Sequence, residues 1–150
     1  MAVTQQAIID GIYAMLTGTQ SAGSPYALTG GRMYDTFAPQ NPTPPFIIFS
    51  VVVDEVQPYF VVDNIMLDFQ VDVYGQIDTS IGGPKATRTI GDAAYTLLHR
   101  QPITITGYSG CSILCQSRTP GLETEFTAGG STQQDVYRDS RVYRIFGTGS

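Results

Sequence analysis

The sequence predicts an α+β fold, in which a mostly antiparallel sheet carries two helices packed on one face, within a single domain spanning residues 1–150. Three observations support this class. One segment alternates strictly between apolar and polar residues, two segments have helical spacing, and the elements follow the order helix, strands, helix, strands. A chain of 150 residues is long enough to bury one sizeable core.

Residues 65–74 form the clearest predicted strand. Successive side chains of a strand point to opposite faces, so one set should lie in the core and the other should face water or a partner. The core set is apolar, namely Ile65, Leu67, Phe69, Val71 and Val73, and the opposite set is Met66, Asp68, Gln70, Asp72 and Tyr74. An apolar, β-branched run at residues 46–53 predicts a second strand that is covered on both faces.

Two helices are predicted from apolar residues that recur with helical spacing. The first follows Thr4 as its N-cap, ends near Gly18 and buries Ile8, Ile12, Met15 and Leu16. The second begins at Pro84 and ends before Pro102, and its buried stripe is Ala86, Ile90, Ala93 and Leu97. We expect His99 and Arg100 to occupy its last turn, where cations complement the helix dipole.

The remaining segments are predicted as short strands and loops. Strands are expected at residues 32–34, 103–106, 112–117 and 136–146, the last of these closing the fold. Loops are expected at residues 17–31, 54–63 and 120–134, which are rich in turn residues or polar side chains. The proline-rich residues 38–45 exclude helix and central strand, because proline lacks the N–H that both structures need.

Composition restricts the classes of function. Charged residues make up 14% of the chain, with 13 acidic against 8 basic side chains and a net charge of −5. Soluble proteins carry about 25% charged residues, so this surface suits contact with other proteins; a small acidic monomer with an ordinary polar surface is the alternative. The acidic balance argues against a protein that grips nucleic acid. No apolar run approaches the roughly 20 residues of a membrane helix, and we expect assembly in a cytoplasm.

The sequence contains no complete motif for catalysis, a metal or a cofactor. The segment Gly-Tyr-Ser-Gly-Cys at residues 107–111 lacks the final glycine of a nucleophile elbow, and the only histidine, His99, precedes it. Residues 82–87 hold phosphate-loop ingredients in the wrong order, and Pro84 removes one backbone amide. We therefore predict a non-enzymatic protein without a cofactor. A small enzyme or a ligand-binding domain is the competing class.

The two cysteines predict neither a zinc site nor a disulfide bond. Zinc needs about four ligands, and beside Cys111 and Cys115 the chain offers only His99. On an extended strand the two thiols would lie about 13 Å apart, whereas a disulfide needs Cα atoms within about 7 Å. Asp68 and Asp72 would also be separated by about 13 Å, which exceeds the roughly 6.5–9.5 Å between the carboxylates of an inverting glycosidase.

Taken in order, these segments resemble the tail-completion, or tail-terminator, family of long-tailed bacteriophages. The resemblance covers nearly the whole chain: the first helix, the prolines that lead into the apolar strand, the strand Leu-Asp-Phe-Gln-Val-Asp-Val-Tyr-Gly, the second helix and the closing strand. It implies a virion protein that closes into a ring, a hexamer, which caps the tail tube, stops its polymerisation and joins it to the head connector. Another neck component, such as a head-completion or stopper protein, and a tail-tube subunit remain alternatives.

Three groups of residues are candidates for contacts in such an assembly. Tyr59, Phe60, Val61 and Val62 expose more apolar surface than a free loop usually does, so we expect them to contact a neighbouring subunit or the tube; a hairpin tip folded on its own domain is the alternative. Arg138, Arg141 and Tyr143 belong either to an edge strand protected by charge or to an interface. Asp68 and Asp72 are candidates for a lumen that passes DNA without holding it, because carboxylates repel phosphates.

Overall fold

The structure, a computed structural model, describes residues 5–40, 43–59, 62–76, 83–127 and 133–149. These residues form three helices and five strands, with nothing in them long and apolar enough to be a membrane-spanning helix. The helices are α1 (Gln5–Gly18), α2 (Pro25–Leu28) and α3 (Gly83–Leu98). The strands are β1 (Met33–Asp35), β2 (Phe46–Tyr59), β3 (Val62–Gln76), β4 (Tyr108–Thr127) and β5 (Gln133–Gly149).

The five strands form one sheet in the order β1-β2-β3-β5-β4. Strand β1 runs parallel to β2, and every other neighbouring pair is antiparallel. The predicted α+β class with a mostly antiparallel sheet is therefore confirmed. The edges are β1 and β4, and the closing strand β5 lies between β3 and β4. The interpretation of β5 as a charge-protected edge strand is wrong, because β5 pairs with β3 on one side and with β4 on the other.

The main core is built on the alternating residues of β3. Leu67, Phe69, Val71 and Val73 are all buried, as the sequence predicts, and belong to one apolar cluster with residues of both long helices. The helical members include Ile8, Ile12 and Leu16 of α1 and Ile90 and Leu98 of α3. On the opposite face a smaller cluster forms where Phe46 stacks on Tyr74, with ring centroids 5.0 Å apart. This end of the second face is therefore covered rather than wet.

Helix α3 ends before the two residues that the sequence places in its last turn. Leu98 is its last residue, and Arg100 adopts the left-handed conformation, with φ of 60°, that reverses the chain. His99 and Arg100 thus follow the helix instead of forming its last turn. The Nδ1 atom of His99 accepts a hydrogen bond from the backbone N–H of Cys115 at 2.9 Å. The side chain is engaged with the sheet and does not act as a capping cation.

The residues after α3 lie along the outer edge of β4 and do not form the predicted strand at residues 103–106. Arg100 N donates to Ile113 O at 2.7 Å, and Ile113 N donates to Gln101 O at 3.1 Å. Ile103 N donates to Cys111 O, also at 3.1 Å. Only one isolated bridge, between Pro102 and Ser112, is of the strand type. Proline interrupts the ladder here because it has no N–H to donate.

Helix α1 approaches this segment closely at Gly11. A β-carbon at Gly11 would lie 2.8 Å from the backbone oxygen of Thr104 and 3.2 Å from the Ile105 side chain. Glycine is therefore required for the observed distance between the helix and the segment that follows α3.

Two of the three predicted loops are largely strand, and the third contains a short helix. Residues 54–59 and 62–63 extend β2 and β3 as a hairpin, and most of residues 120–134 extends β4 and β5. Residues 17–31 include the end of α1 and the whole of α2, where the Ser24 hydroxyl accepts from Ala27 N at 3.2 Å. The predicted cap Thr4 lies outside the described residues.

Candidate functional site

A buried group of charges joins α3 to the sheet on its helix-bearing side. The Arg141 side chain, on β5, is only 5% exposed, and the Asp139 side chain is completely buried. Arg141 Nε donates to Asp139 Oδ1 at 2.9 Å, and Arg141 Nη2 donates to Asp92 Oδ1 on α3 at 2.7 Å. A β-carbon on Gly91 would lie 3.0 Å from the Asp139 carboxyl carbon, so this glycine lets the helix approach the charges.

The charges within this group are balanced. Burial alone would lower the pKa of Arg141, but its hydrogen bonds to Asp139 and Asp92 and the charge of Asp139 hold that pKa above its ordinary value. Arg118 on β4 adds a second cation, 3.4 Å from the same Asp139 carboxylate and with 45% of its side chain exposed. Two guanidinium groups thus face two carboxylates, and the group has no net charge.

The group lines a small pocket beside the β4 edge of the sheet. This β4-edge pocket has a volume of about 210 Å³, and its walls are Asp92, Tyr95, Cys115, Arg118 and Arg141. The Arg141 guanidinium carbon lies 5.9 Å from the centre of the Tyr95 ring, which also stacks on His99 at 4.6 Å. The walls combine an aromatic ring with cations, which is the composition of protein–protein contact sites.

The cysteines are free, and neither belongs to a metal site in the described structure. Burial raises the pKa of the Cys111 thiol, and burial likewise raises the pKa of the Cys115 thiol. Among the described residues there is no group of three histidine, cysteine, aspartate or glutamate side chains that could hold a metal ion.

A larger pocket of about 510 Å³ lies between α3 and the connection from α1 to α2. Its lining is uncharged and includes Thr19, Ser24, Ala93, Leu97 and Gln101. The described residues that line it include no histidine, cysteine, aspartate or glutamate.

The opposite face of the sheet carries the two predicted lumen carboxylates. Arg144 donates to Asp68 through two bonds, from Nε at 2.6 Å and from Nη2 at 2.9 Å. Gln70 Nε2 lies 2.8 and 2.9 Å from the two carboxylate oxygens of Asp72, which is 7% exposed. Both carboxylates lie on the face that the alternation predicts, and each is engaged by a partner from the same subunit.

The structure separates the predicted contact residues into different environments. Tyr59 and Val62 form the last cross-strand pair of the β2–β3 hairpin, and Phe60 and Val61 lie outside the described residues. Arg138 is half-buried opposite Tyr74.

Arg141 and Tyr143 point to the other face of β5 and are buried within the subunit. The Tyr143 ring stacks on Phe69 at 5.4 Å, and burial raises the pKa of Tyr143. Sequence reasoning selected Arg141 but missed Asp92, Tyr95 and Arg118, because these come from distant segments and carry no local motif.

Comparison with known proteins identifies a family and a similar solved structure. The model of a family described as Tail completion protein gp17 matches residues 12–119. No curated protein matches the chain. A chain of the solved structure described as the virion of the native gene transfer agent particle is similar, with a TM-score of 0.66 and 16% identity. The alignment covers 96% of each chain, and at this identity it shows a shared fold.

Proposed function

The chain belongs to the tail completion protein gp17 family, whose model matches more than half of its length, and on this premise we propose that it is a tail terminator. Family membership makes it a structural protein of a virion tail. The proposal adds that copies of the chain close into a ring, a hexamer, which caps the finished tail tube, stops tube polymerisation and joins the tube to the head connector. In this role the chain is not an enzyme and needs no cofactor.

The observation that carries the proposal is that the sheet has two unlike edges. Strand β1 has 3 residues and pairs in parallel, whereas β4 has 20 residues and pairs in antiparallel orientation. A ring requires head-to-tail contacts, in which one surface of a subunit meets a different surface of the next. A sheet whose ends differ supplies two such surfaces. The low charge content of 14% also favours a chain whose surface contacts other proteins.

The tip of the β2–β3 hairpin is the proposed contact with the tube or with a neighbouring subunit. The pairing of β3 with β5 ends at Asn64, whereas its pairing with β2 continues to Tyr59 and Val62. The end of the hairpin is therefore two-stranded. A two-stranded ribbon has little core of its own and gains stability when it packs on another surface. The proposed contact residues are Tyr59, Phe60, Val61 and Val62.

The face with Asp68 and Asp72 is the proposed lining of the lumen. The Asp68 carboxylate pairs with the Arg144 guanidinium, so this cation of the face is already neutralised within the subunit. DNA binding depends mainly on cations that neutralise phosphates and release counterions. A lining of this kind would let DNA pass without holding it.

Native mass spectrometry of the purified chain, alone and mixed with short tail-tube assemblies, tests the proposal. A terminator should give one closed ring, either alone or on tube ends, and added protein should halt tube growth. A tail-tube subunit should instead form stacks of increasing length. A chain that stays monomeric in the presence of tubes and does not affect their growth would contradict the terminator role and favour a head-completion or stopper role.

A further inference from the structure

Phe37 is the most exposed large apolar side chain among the described residues, with 81% of its surface accessible. The next are Val52 at 53% and Tyr13 at 46%. A single exposed apolar residue is common in monomeric proteins, so exposure alone indicates nothing about partners. Two further features of Phe37 are unusual: the turn that carries it, and its place at one edge of the sheet.

The turn before Phe37 holds its side chain away from the subunit. Thr36 has a φ of 65°, in the left-handed region that β-branched residues almost never adopt. The conformation is fixed by hydrogen bonds from Thr36 N to Phe49 O at 2.8 Å and from Phe37 N to Asp35 O at 2.6 Å. The Thr36 hydroxyl adds a bond to Asp35 Oδ1 at 2.8 Å. Rigid presentation of an anchor before contact reduces the entropy lost on binding.

The β4-edge pocket has the size and chemistry to receive this ring. Its volume is about 210 Å³, and a protein cavity of about 150 Å³ is large enough to bind benzene. Tyr95 and Arg118 are both partly exposed at the pocket, at 38% for the residue Tyr95 and 45% for the Arg118 side chain. A phenyl ring between them would contact an aromatic ring and a guanidinium group, two favourable partners for an aromatic side chain.

Phe37 and the pocket lie at opposite edges of the same sheet. Phe37 follows the edge strand β1, whereas the pocket is lined by Cys115 and Arg118 of the edge strand β4. Four strand spacings of about 4.8 Å separate the two edges, or about 19 Å. The ring therefore cannot enter the pocket of its own subunit. A second copy of the chain places a matching pocket within reach, and the same contact repeated from copy to copy is head-to-tail.

We propose that Phe37 of each subunit inserts into the β4-edge pocket of the next subunit and so forms the central contact of the ring. This inference rests on the ring proposed above. It assigns Phe37 as the anchor and Tyr95, Arg118 and Cys115 as the receiving side chains. Arg141 also lines the pocket, and its partner Asp139 contacts Arg118 at 3.4 Å, so the closing strand takes part in the contact from inside the subunit.

Cys115 provides a direct test, because a native thiol lies in the pocket wall. In the Phe37→Cys variant of the full chain, a short bifunctional thiol reagent should link residue 37 of one subunit to Cys115 of the next, and peptide mapping should identify that pair. The double variant Phe37→Cys with Cys115→Ser should lose the link. Ala14→Cys, an exposed position on α1, is the matched control and should give no link to Cys115.

A second variant measures the strength of the contact. Phe37→Ala should raise the dissociation constant between subunits by about tenfold or more, as truncation of an aromatic anchor does at interfaces. Its melting temperature as a monomer should equal that of the unmodified chain, because the side chain contributes little to the core. Assembly should be followed by native mass spectrometry, alone and on tube ends.

The outcomes separate this contact from the terminator role. If Phe37→Ala forms the ring as well as the unmodified chain, and Phe37→Cys gives no link to Cys115, the proposed contact is wrong while the proposed ring remains supported. Weaker assembly with no link to Cys115 overturns the pocket as the site that receives Phe37. An unmodified chain that never assembles, alone or on tubes, overturns both the contact and the proposed ring.

Discussion

Among the ion pairs of the described residues, Arg141 and Asp139 are the most completely buried. Their side chains are 5% and 0% exposed and are joined by a hydrogen bond of 2.9 Å. A buried charge is tolerated only when a partner replaces its hydration, and removal of one partner leaves the other uncompensated. Removal of Arg141 should therefore destabilise the fold mainly because it leaves the buried Asp139 carboxylate without a compensating charge.

Substitution of Arg141 by alanine should lower the free energy of unfolding by about 3–5 kcal/mol, the range measured when one partner of a buried ion pair is removed. Arg118→Ala is the matched control, since Arg118 contacts the same Asp139 carboxylate at 3.4 Å from an exposed position. It should cost about 0–1 kcal/mol. Urea unfolding at neutral pH measures both values. Equal losses for the two variants would contradict a special role for the buried pair.

The sequence indicates part of this arrangement. The interleaved arginines and aspartates of β5 identify Arg141 as a residue of interest, but both predicted roles place it at an edge or an interface. Its real partner on the helix, Asp92, is 49 positions away in the sequence. No local pattern connects two such residues, because the contact exists only after α3 has packed on the sheet.

The helices and the central strands are the elements that the sequence predicts best. Helix α1 and strand β3 combine a regular apolar period with a buried face, so pattern and structure agree. Helix α3 forms as predicted, but its buried side chains include Thr87, Ile90, Ala94 and Leu98. Of the predicted stripe, Ala86, Ala93 and Leu97 are only partly buried, because the helix is rotated by about one residue relative to the prediction. The short β1 was also predicted, within one residue. The sequence predicts two helices and misses α2, because a helix of only 4 residues is too short to show an apolar period.

The long hairpins are the elements that the sequence predicts worst. Residues 54–59 and most of residues 120–134 were expected to be loops, yet they continue β2, β4 and β5. Their backbones pair with a neighbouring strand without the alternating apolar residues that a strand over the core carries. Pattern analysis detects burial rather than hydrogen bonding, so it underestimates strands that extend past the core.

Helix α1 offers a test of close packing at the element scale. Gly11→Ala should lower the free energy of unfolding by about 1–3 kcal/mol, because the new methyl group meets the Thr104 backbone oxygen and forces the helix outward. Gly18→Ala in the same helix is the control. No atom lies within 4 Å of a β-carbon there, and it should be neutral or stabilise by up to about 1 kcal/mol. Thermal unfolding followed by circular dichroism measures both.

If Gly11→Ala proves as harmless as Gly18→Ala, the packing of α1 against residues 103–105 is looser than the structure indicates. The comparison is informative because both substitutions make the same chemical change in the same helix. Gly18 is the last residue of the helix, so its gain in helix propensity should be no larger than the gain at Gly11 in the interior.

At the scale of the whole molecule, the balance of charge on the sheet face with Asp68 and Asp72 should determine how tightly the proposed ring binds DNA. Asp68→Asn removes the carboxylate that Arg144 contacts at 2.6 Å and 2.9 Å. The assembled variant should bind duplex DNA more tightly than the unmodified protein. The slope of the logarithm of its DNA affinity against the logarithm of the salt concentration should become steeper by up to about one for each guanidinium that contacts a phosphate. Fluorescence anisotropy over a series of salt concentrations measures both quantities.

Asp10→Asn makes the same change in net charge on the exposed surface of α1 and serves as the control. It should leave DNA affinity nearly unchanged, because the partner of that carboxylate among the described residues is the uncharged Gln6 side chain, at 2.8 Å. Equal behaviour of the Asp68 and Asp10 variants would indicate that the second sheet face does not meet DNA, and would remove Asp68 and Asp72 from the lumen.

The segment that follows α3 has a consequence for the life of the subunit before assembly. An open strand edge is a template on which other chains can add strands and grow into fibres. Residues 100–103 and His99 occupy this edge of β4 between Cys111 and Cys115, where their hydrogen bonds take up the donors and acceptors that a foreign strand would need. The chain thus covers the part of its β4 edge between Cys111 and Cys115. Copies of the subunit should then be less prone to aggregate through this part of the edge before assembly. In the proposed ring they join through side-chain contacts instead of through added strands.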